Sequence, residues 1–241
     1  LVVFNSHMHR HTFLNAVPEF LNRGRDFRPM DAAENINDKS TVLYPGITLP
    51  AYRQVDAEKQ MDPPLIIWNH RWGYDKNCEI FFEAIRALED RGFDFRLALM
   101  GDNFGKIPDG FRAARKRFKH KILQYGYVSE RREYEKWLKR GALVISTAIQ
   151  ENFGISVVEA MLMGCIPLLP SRLSYPEILP AAYHEYFLYQ NKYDVMEKLF
   201  DIMTHYRRYE PLRDNLVDEM KSFLWQNLVA GYDRLLDRLA G

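Results

Sequence analysis

Short, continuously apolar runs alternate along this chain with stretches whose apolar residues recur at helical spacing. Residues 64–70 (PLIIWNH), 95–101 (FRLALMG), 122–128 (ILQYGYV), 142–147 (ALVIST) and 165–170 (CIPLLP) each read as a buried strand. Between them, residues 78–91 place Ile80, Phe81, Ala84, Ile85 and Leu88 on one helical face and close at Gly92. Further helices are predicted over 111–118, 131–140 and 154–163. Strands without polar alternation, separated by helices, imply a parallel sheet covered on both faces. The expected fold class is therefore α/β, a Rossmann-like doubly wound sheet.

A smaller pattern precedes that domain. Residues 2–5 read as a strand, 12–22 as a helix with Pro18 breaking or kinking it, and 41–44 as a second strand before the Pro45-Gly46 turn. The histidines in SHMHRH (His7, His9, His11) admit a metal site, but a polar helix start after a strand is the expected reading. Residues 49–64 are polar and proline-bounded, as in a linker, and 223–239 forms a long amphipathic helix. The expected division is 1–50 as a strand–helix–strand unit too small to be a domain alone, 51–204 as the doubly wound domain, and 205–241 as a C-terminal helical segment. The chain opens without Met directly in an apolar run, which suggests a fragment of a longer protein.

Composition adds limits. A formal charge of +1 excludes a strongly basic nucleic-acid binder, though not a local basic patch such as RAARKRFKHK at 112–121. That patch could touch a nucleic-acid backbone, but a solvated helix face is the expected reading. Tyr125 and Trp137 are expected in the core rather than as stacking platforms. No apolar run is long enough for a membrane span. Cys78 and Cys165 are far apart and form no CxxC pair, which suits a reducing cytoplasm.

The candidate chemistry gathers at strand ends, where ligands bind in such sheets. In QENFGISVVEAMLMG, residues 150–164, the helix starting near Gly154 would aim free amides and its positive dipole end at the crevice. Glu159, inside this apolar helix, needs donors to offset its desolvation, and two vicinal ribose hydroxyls would supply them. Glu151, just before the helix, can accept from sugar hydroxyls. The plainer reading, two glutamates favoured by the helix dipole, stays open on spacing alone. In NHRWGYDKN, residues 69–77, Arg71 and Lys76 follow a strand on the same sheet edge, where two cations can neutralise a diphosphate. The chain has no GxGxxG, no GxxxxGK[ST] and no DxD motif.

These residues carry a resemblance. Glu151 and Glu159 match the E-x7-E motif of retaining GT-B glycosyltransferases of the family-four type, and the surrounding ENFGISVVEAMLMGCIPLLPS resembles that family's signature. NHRWGYDKN is similar to its Arg/Lys diphosphate site, and VLYPGITL to its interdomain stretch. HRWGYDKN together with SRLSYPEIL (171–179) resembles the branch that mannosylates queuosine in tRNA. The resemblance implies that Arg71 and Lys76 hold the diphosphate, Glu151 contacts the donor sugar, and Glu159 contacts the ribose. The amides of Phe153, Gly154 and Ile155 would line phosphates and sugar, while Tyr127 and Val128, in the GYVS turn, would border the base. It further implies a GDP-mannose donor, no metal or other cofactor, a tRNA acceptor, and a C-terminal helix bracing the N-terminal part. Because most of the first Rossmann domain is absent, the chain is expected to be a donor-binding fragment, inactive alone. Two alternatives remain: a glycosyltransferase acting on a lipid or polysaccharide, and a non-catalytic nucleotide-sugar-binding module.

Overall fold

The computed structural model describes residues 1–24, 29, 31–49, 58–102, 105 and 107–240. Residues 50–57, half of the predicted linker, lie outside those residues. The first unit comprises β1 (Val2–Phe4), α1 (His7–Asn22), α2 (Ala32–Asp38) and β2 (Ser40–Val42), with β1 and β2 paired in parallel. The helix begins earlier than its apolar period suggested. Ser6 caps it by accepting a hydrogen bond from the His9 amide, and it continues through Pro18 to Asn22. His9 is bound to Asn5, and no metal-holding cluster of His, Cys, Asp or Glu occurs among the described residues.

The second unit holds a six-stranded parallel sheet. Its first part runs β3 (Leu65–Trp68), α3 (Cys78–Asp90), β4 (Arg96–Leu99), α4 (Asp109–Arg117), β5 (Ile122–Tyr125), α5 (Arg131–Arg140) and β6 (Leu143–Ile145). It continues through α6 (Ile155–Leu162), β7 (Ile166–Pro170), α7 (Tyr175–Ile178), α8 (His184–Phe187), β8 (Leu188–Tyr189) and α9 (Lys192–Thr204). The chain then closes with α10 (Tyr206–Met220) and α11 (Trp225–Ala240). The central strands are apolar throughout because both faces are covered: every residue of β3 and β6 is buried. From α3, Cys78, Phe81, Phe82, Ala84, Ile85 and Leu88 enter this core, each large side chain adding about 1.5–3 kcal/mol of burial.

Strand order is β5-β4-β3-β6-β7-β8. The chain moves outward from β3 through β4 to β5, then returns to place β6 on the other side of β3. The loops leaving β3 and β6 therefore diverge, which opens a crevice at the carboxyl ends of these neighbouring strands. This crevice is where the candidate residues fall.

The C-terminal helix and the residues just before it contact residues 44–47. Residue Ile47 forms a parallel bridge with Leu224 just before α11, and the Tyr232 hydroxyl donates to the Tyr44 carbonyl at 2.9 Å. No helix among the described residues is long and apolar enough to cross a membrane. The basic stretch on α4 largely satisfies itself. Arg112 pairs with Asp109, Arg117 with Glu89 and Asp90, Lys121 with Asp94, and Arg115 lies over the Tyr125 ring. Tyr125 and Trp137 are partly buried against the core.

Candidate functional site

Two adjoining cavities open at the crevice, of about 740 and 510 Å³, and Asn69 and Arg71 line both. The larger brings together Arg71, Lys76, Glu151, Phe153, Gly154 and Ile155. The smaller holds Tyr127, Val128 and Glu159. All nine sequence-predicted site residues thus border one composite cleft of a size suited to a small ligand.

The loop after β3 is stitched to the loop after β6. Buried Thr147 donates from its hydroxyl to the carbonyls of Lys76 and Asn77, at 2.9 and 2.8 Å. The Asp75 carbonyl accepts from the Ile149 amide at 2.8 Å. Those bonds bring Lys76 Nζ to 3.1 Å from Glu151 Oε2 and 2.8 Å from the Gln150 carbonyl, with Asp75 Oδ2 at 3.3 Å. The same Asp75 oxygen accepts from Arg71 Nη2 at 2.9 Å. Burial alone would raise the Asp75 carboxyl, but its hydrogen bond from Arg71 and the charge of Lys76 hold it below the usual carboxylate range. Lys76 is buried, while the Arg71 side chain is half exposed and presents its guanidinium to the cleft.

Glu151 is held on both sides. Its Oε1 accepts from the amides of Asn152 and Phe153, at 3.1 and 3.5 Å, while Oε2 meets Lys76. The Phe153 amide thus turns to Glu151, and its ring packs against Tyr44 and Phe223. Gly154 takes a φ of 101°, a left-handed conformation that glycine adopts without the Cβ penalty, and this swings the chain into α6. The amides of Gly154, Ile155 and Ser156 meet no protein acceptor among the described residues, leaving donors at the positive end of the helix dipole.

Glu159 is buried on α6 and already has two donors: Arg131 Nη2 to Oε1 at 2.8 Å, and the Tyr134 hydroxyl to Oε2 at 2.9 Å. A carboxylate offers about four lone-pair sites, so it retains acceptor capacity. Arg131 also binds buried Glu135. Burial disfavours the Arg131 charge, but Glu159 and Glu135 keep its pKa above the ordinary guanidinium value. Burial, reinforced by Glu159, pushes the Tyr134 phenol well up, so it stays a donor. Asn69 joins this network to α6 through bonds to the Tyr134 hydroxyl and the Ser156 carbonyl, at 3.2 and 2.6 Å. His70 is buried beside them, and desolvation, aided by Lys76, lowers its pKa to about 3, so the imidazole is neutral.

Sequence reasoning missed Asp75, Thr147, Arg131, Tyr134 and Asn69. Asp75 lies inside the motif that supplied Arg71 and Lys76, so its alternation with them was a usable signal. Asn69 opens the same motif, while Thr147, Arg131 and Tyr134 have no local pattern, because their partners are distant in sequence.

Two family models cover most of the chain. Residues 1–47 match the model described as tRNA-queuosine alpha-mannosyltransferase N-terminal, and residues 53–222 match glycosyl transferases group 1. A curated relative, the tRNA-queuosine alpha-mannosyltransferase of Drosophila melanogaster, is 32% identical over 226 residues, or 90% of this chain. The chain spans 59% of that relative's length. Among solved structures, the Anabaena HepE protein in complex with UDP and glucose superposes with a TM-score of 0.70 at 17% identity, covering 100% of this chain and 63% of its own. The pneumococcal O-GlcNAc transferase GtfA, solved with UDP and GlcNAc, gives 0.71 at 12% identity, covering 99% and 45%. A Rickettsia africae glycosyltransferase gives 0.70 at 15%, covering 99% and 63%. These likenesses show a shared fold, and the match over 53–222 settles the lineage: the chain belongs to the glycosyl transferases group 1 family.

Proposed function

We propose that this chain is the donor-binding part of a retaining mannosyltransferase that moves mannose from GDP-mannose to queuosine in tRNA. The observation that carries the reading is the convergence of Arg71, Lys76, Glu151 and the α6 N-terminus on one cavity, with Glu159 in the adjoining one. The relative from Drosophila and the match over residues 1–47 support mannose and tRNA as donor sugar and acceptor class.

The diphosphate lies between Arg71 and the free amides of α6, with Lys76 behind it. Cleavage of the sugar–phosphate bond puts negative charge on the diphosphate. Fixed donors in a partly dry cleft stabilise that charge without reorganising, and one such donor is typically worth about 10²–10³ in rate. The reading needs no metal, since protein cations and the helix end supply the positive field. Glu151 has both oxygens engaged, which suits holding sugar hydroxyls in place rather than attacking the anomeric carbon. Glu159 takes the ribose hydroxyls on its remaining lone pairs, with Tyr127 and Val128 beside the base. The two buried, unpaired cysteines suit a cytoplasmic setting.

Calorimetry with GDP, UDP and GDP-mannose tests this. GDP should bind more tightly than UDP. Glu159→Ala should weaken GDP binding by about 10- to 100-fold, as for loss of hydrogen bonds to a charged group. Glu151→Ala should spare GDP and remove the extra affinity that the mannose provides. No binding heat with any nucleotide would end the donor reading, and tighter UDP binding would replace the base.

A further inference from the structure

The first unit meets the second at a carboxylate that the donor chemistry does not use. Glu177 sits on α7, anchored by its neighbours. The buried Ser174 hydroxyl donates to the Phe153 carbonyl at 2.8 Å, and buried Tyr175 shares a 2.6 Å hydrogen bond with Ser146. From this mount the Glu177 carboxylate reaches across to α1. Its Oε1 accepts from the His7 amide at 2.7 Å and from the Tyr44 hydroxyl at 2.9 Å, and its Oε2 accepts from the Met8 amide at 2.9 Å. Ser6 completes the set, accepting from the His9 amide and donating to the Asn152 carbonyl at 2.5 Å.

The leading amides of a helix have no partner within it. Here two side chains take them, and one of these belongs to the other unit. The negative carboxylate also faces the positive end of a 16-residue helix, a favourable pairing. Burial and Glu177 together push the Tyr44 phenol up to about 12, so it remains a donor to the carboxylate throughout the working pH range.

The position of this clamp gives it consequence. Asn5, just before α1, and Met8 and Thr12 on it line the same cavity as Lys76 and Glu151. Asn152, held by Ser6, directly follows Glu151. We infer that Glu177 is a positioning residue: it fastens the start of α1 to the donor-binding unit and so fixes the acceptor-facing wall of the cleft over Glu151. This rests on the transferase reading above. Loss of the clamp leaves every donor contact in place and lets only that wall move, so it separates acceptor use from donor binding.

The experiment uses the full-length protein, with Glu177→Ala, Glu177→Gln and Tyr44→Phe. Hydrogen exchange is read first, because it does not depend on any activity. In Glu177→Ala the amides of His7 and Met8 should exchange about fivefold faster or more, as expected when a helix cap is lost. Kinetics with tRNA and GDP-mannose come second. Glu177→Ala should lower kcat/KM for tRNA at least about tenfold through misplacement of the wall, with the donor KM and GDP affinity within about twofold of the parent. Glu177→Gln, which keeps one accepting oxygen, and Tyr44→Phe should fall between. Unchanged exchange at His7 and Met8 overturns the clamp whether or not the protein binds GDP. Parental kcat/KM for tRNA in Glu177→Ala, or a donor KM that rises in step with the tRNA defect, overturns the positioning role. A parent that binds no nucleotide instead overturns the donor reading, and the exchange result still stands on its own.

Discussion

Arg71 and Lys76 remain beside one another because a third side chain separates their charges. Asp75 accepts from Arg71 and lies 3.3 Å from Lys76 Nζ, so the like charges are tied through a shared anion. Its folded pKa lies below the ordinary 3.8, which means the folded protein releases this proton more readily than the unfolded chain. Its contribution to stability is therefore complete above about pH 4 and is lost as pH falls through the depressed folded value. Asp75→Asn should be less stable than the parent in urea unfolding near neutral pH, and the gap should close as the pH drops below about 4. Parallel curves down to acid would show that Asp75 is not the ion that holds the pair. The cations could be found from sequence because both sit in one short motif at a predicted strand end. The ligands of Glu159 could not: Arg131 lies 28 residues away and Tyr134 lies 25, and both reach it only through the packing of α5 beside α6. The need for donors around a carboxylate on an apolar helix was legible, and their identity was not.

At the scale of elements, the strands and helices from β3 to β7 follow the hydrophobic pattern because each is buried by the sheet it joins. The differences arise where tertiary contacts overrule local chemistry. The strand expected over 122–128 stops at Tyr125, and Gly126, with a φ of 104°, turns the chain so that Tyr127 and Val128 reach the cavity as a loop. Pro18 does not break α1, which runs on to Asn22, its start secured by Ser6 and Glu177 and its length laid along β1 and α2. From 171 to 190 the apolar positions keep no single period for long. There Pro176 and Pro180 interrupt the pattern, and α7 and α8 lie outside the predicted elements; so does α9, although Val195, Met196, Leu199, Phe200 and Met203 recur at helical spacing, whereas α10 falls within the segment expected to be helical. The element that carries the site is α6, and its direction depends on Gly154. A Cβ there would stand 3.3 Å from the Tyr175 ring, which is buried and hydrogen-bonded and has little room to move, in a backbone region that other residues rarely adopt. Gly154→Ala should therefore cost about 1–3 kcal/mol in urea unfolding. It should also weaken nucleotide binding, measured by calorimetry on the folded variant, because the α6 amides tilt away. Parental nucleotide affinity in a clearly destabilised variant would remove those amides from the site.

Across the whole molecule, the two units are joined at places with different tasks. Glu177 and Ser6 act at the mouth of the cleft. Residues 46–47 and the start of α11 meet elsewhere, where the Ile47 amide donates to the Phe223 carbonyl and the Trp225 amide donates to the Ile47 carbonyl, at 2.8 and 3.0 Å. Gly46 lets those segments lie so close. A Cβ at that position would fall 2.9 Å from the Trp225 Cα and run into its indole, and backbone cannot yield as a flexible side-chain end can. Gly46→Ala must therefore pry α11 from the first unit, an overpacking cost of about 1–3 kcal/mol. Arg71 and Lys76 lie outside this junction, and the smaller cavity reaches its edge through Arg131, which donates to the Thr48 carbonyl at 3.2 Å. The expected outcome is a lower urea midpoint with GDP affinity unchanged. If GDP affinity instead falls together with stability, the junction and the donor cleft are one cooperative structure, and the division of labour between the two attachments is wrong.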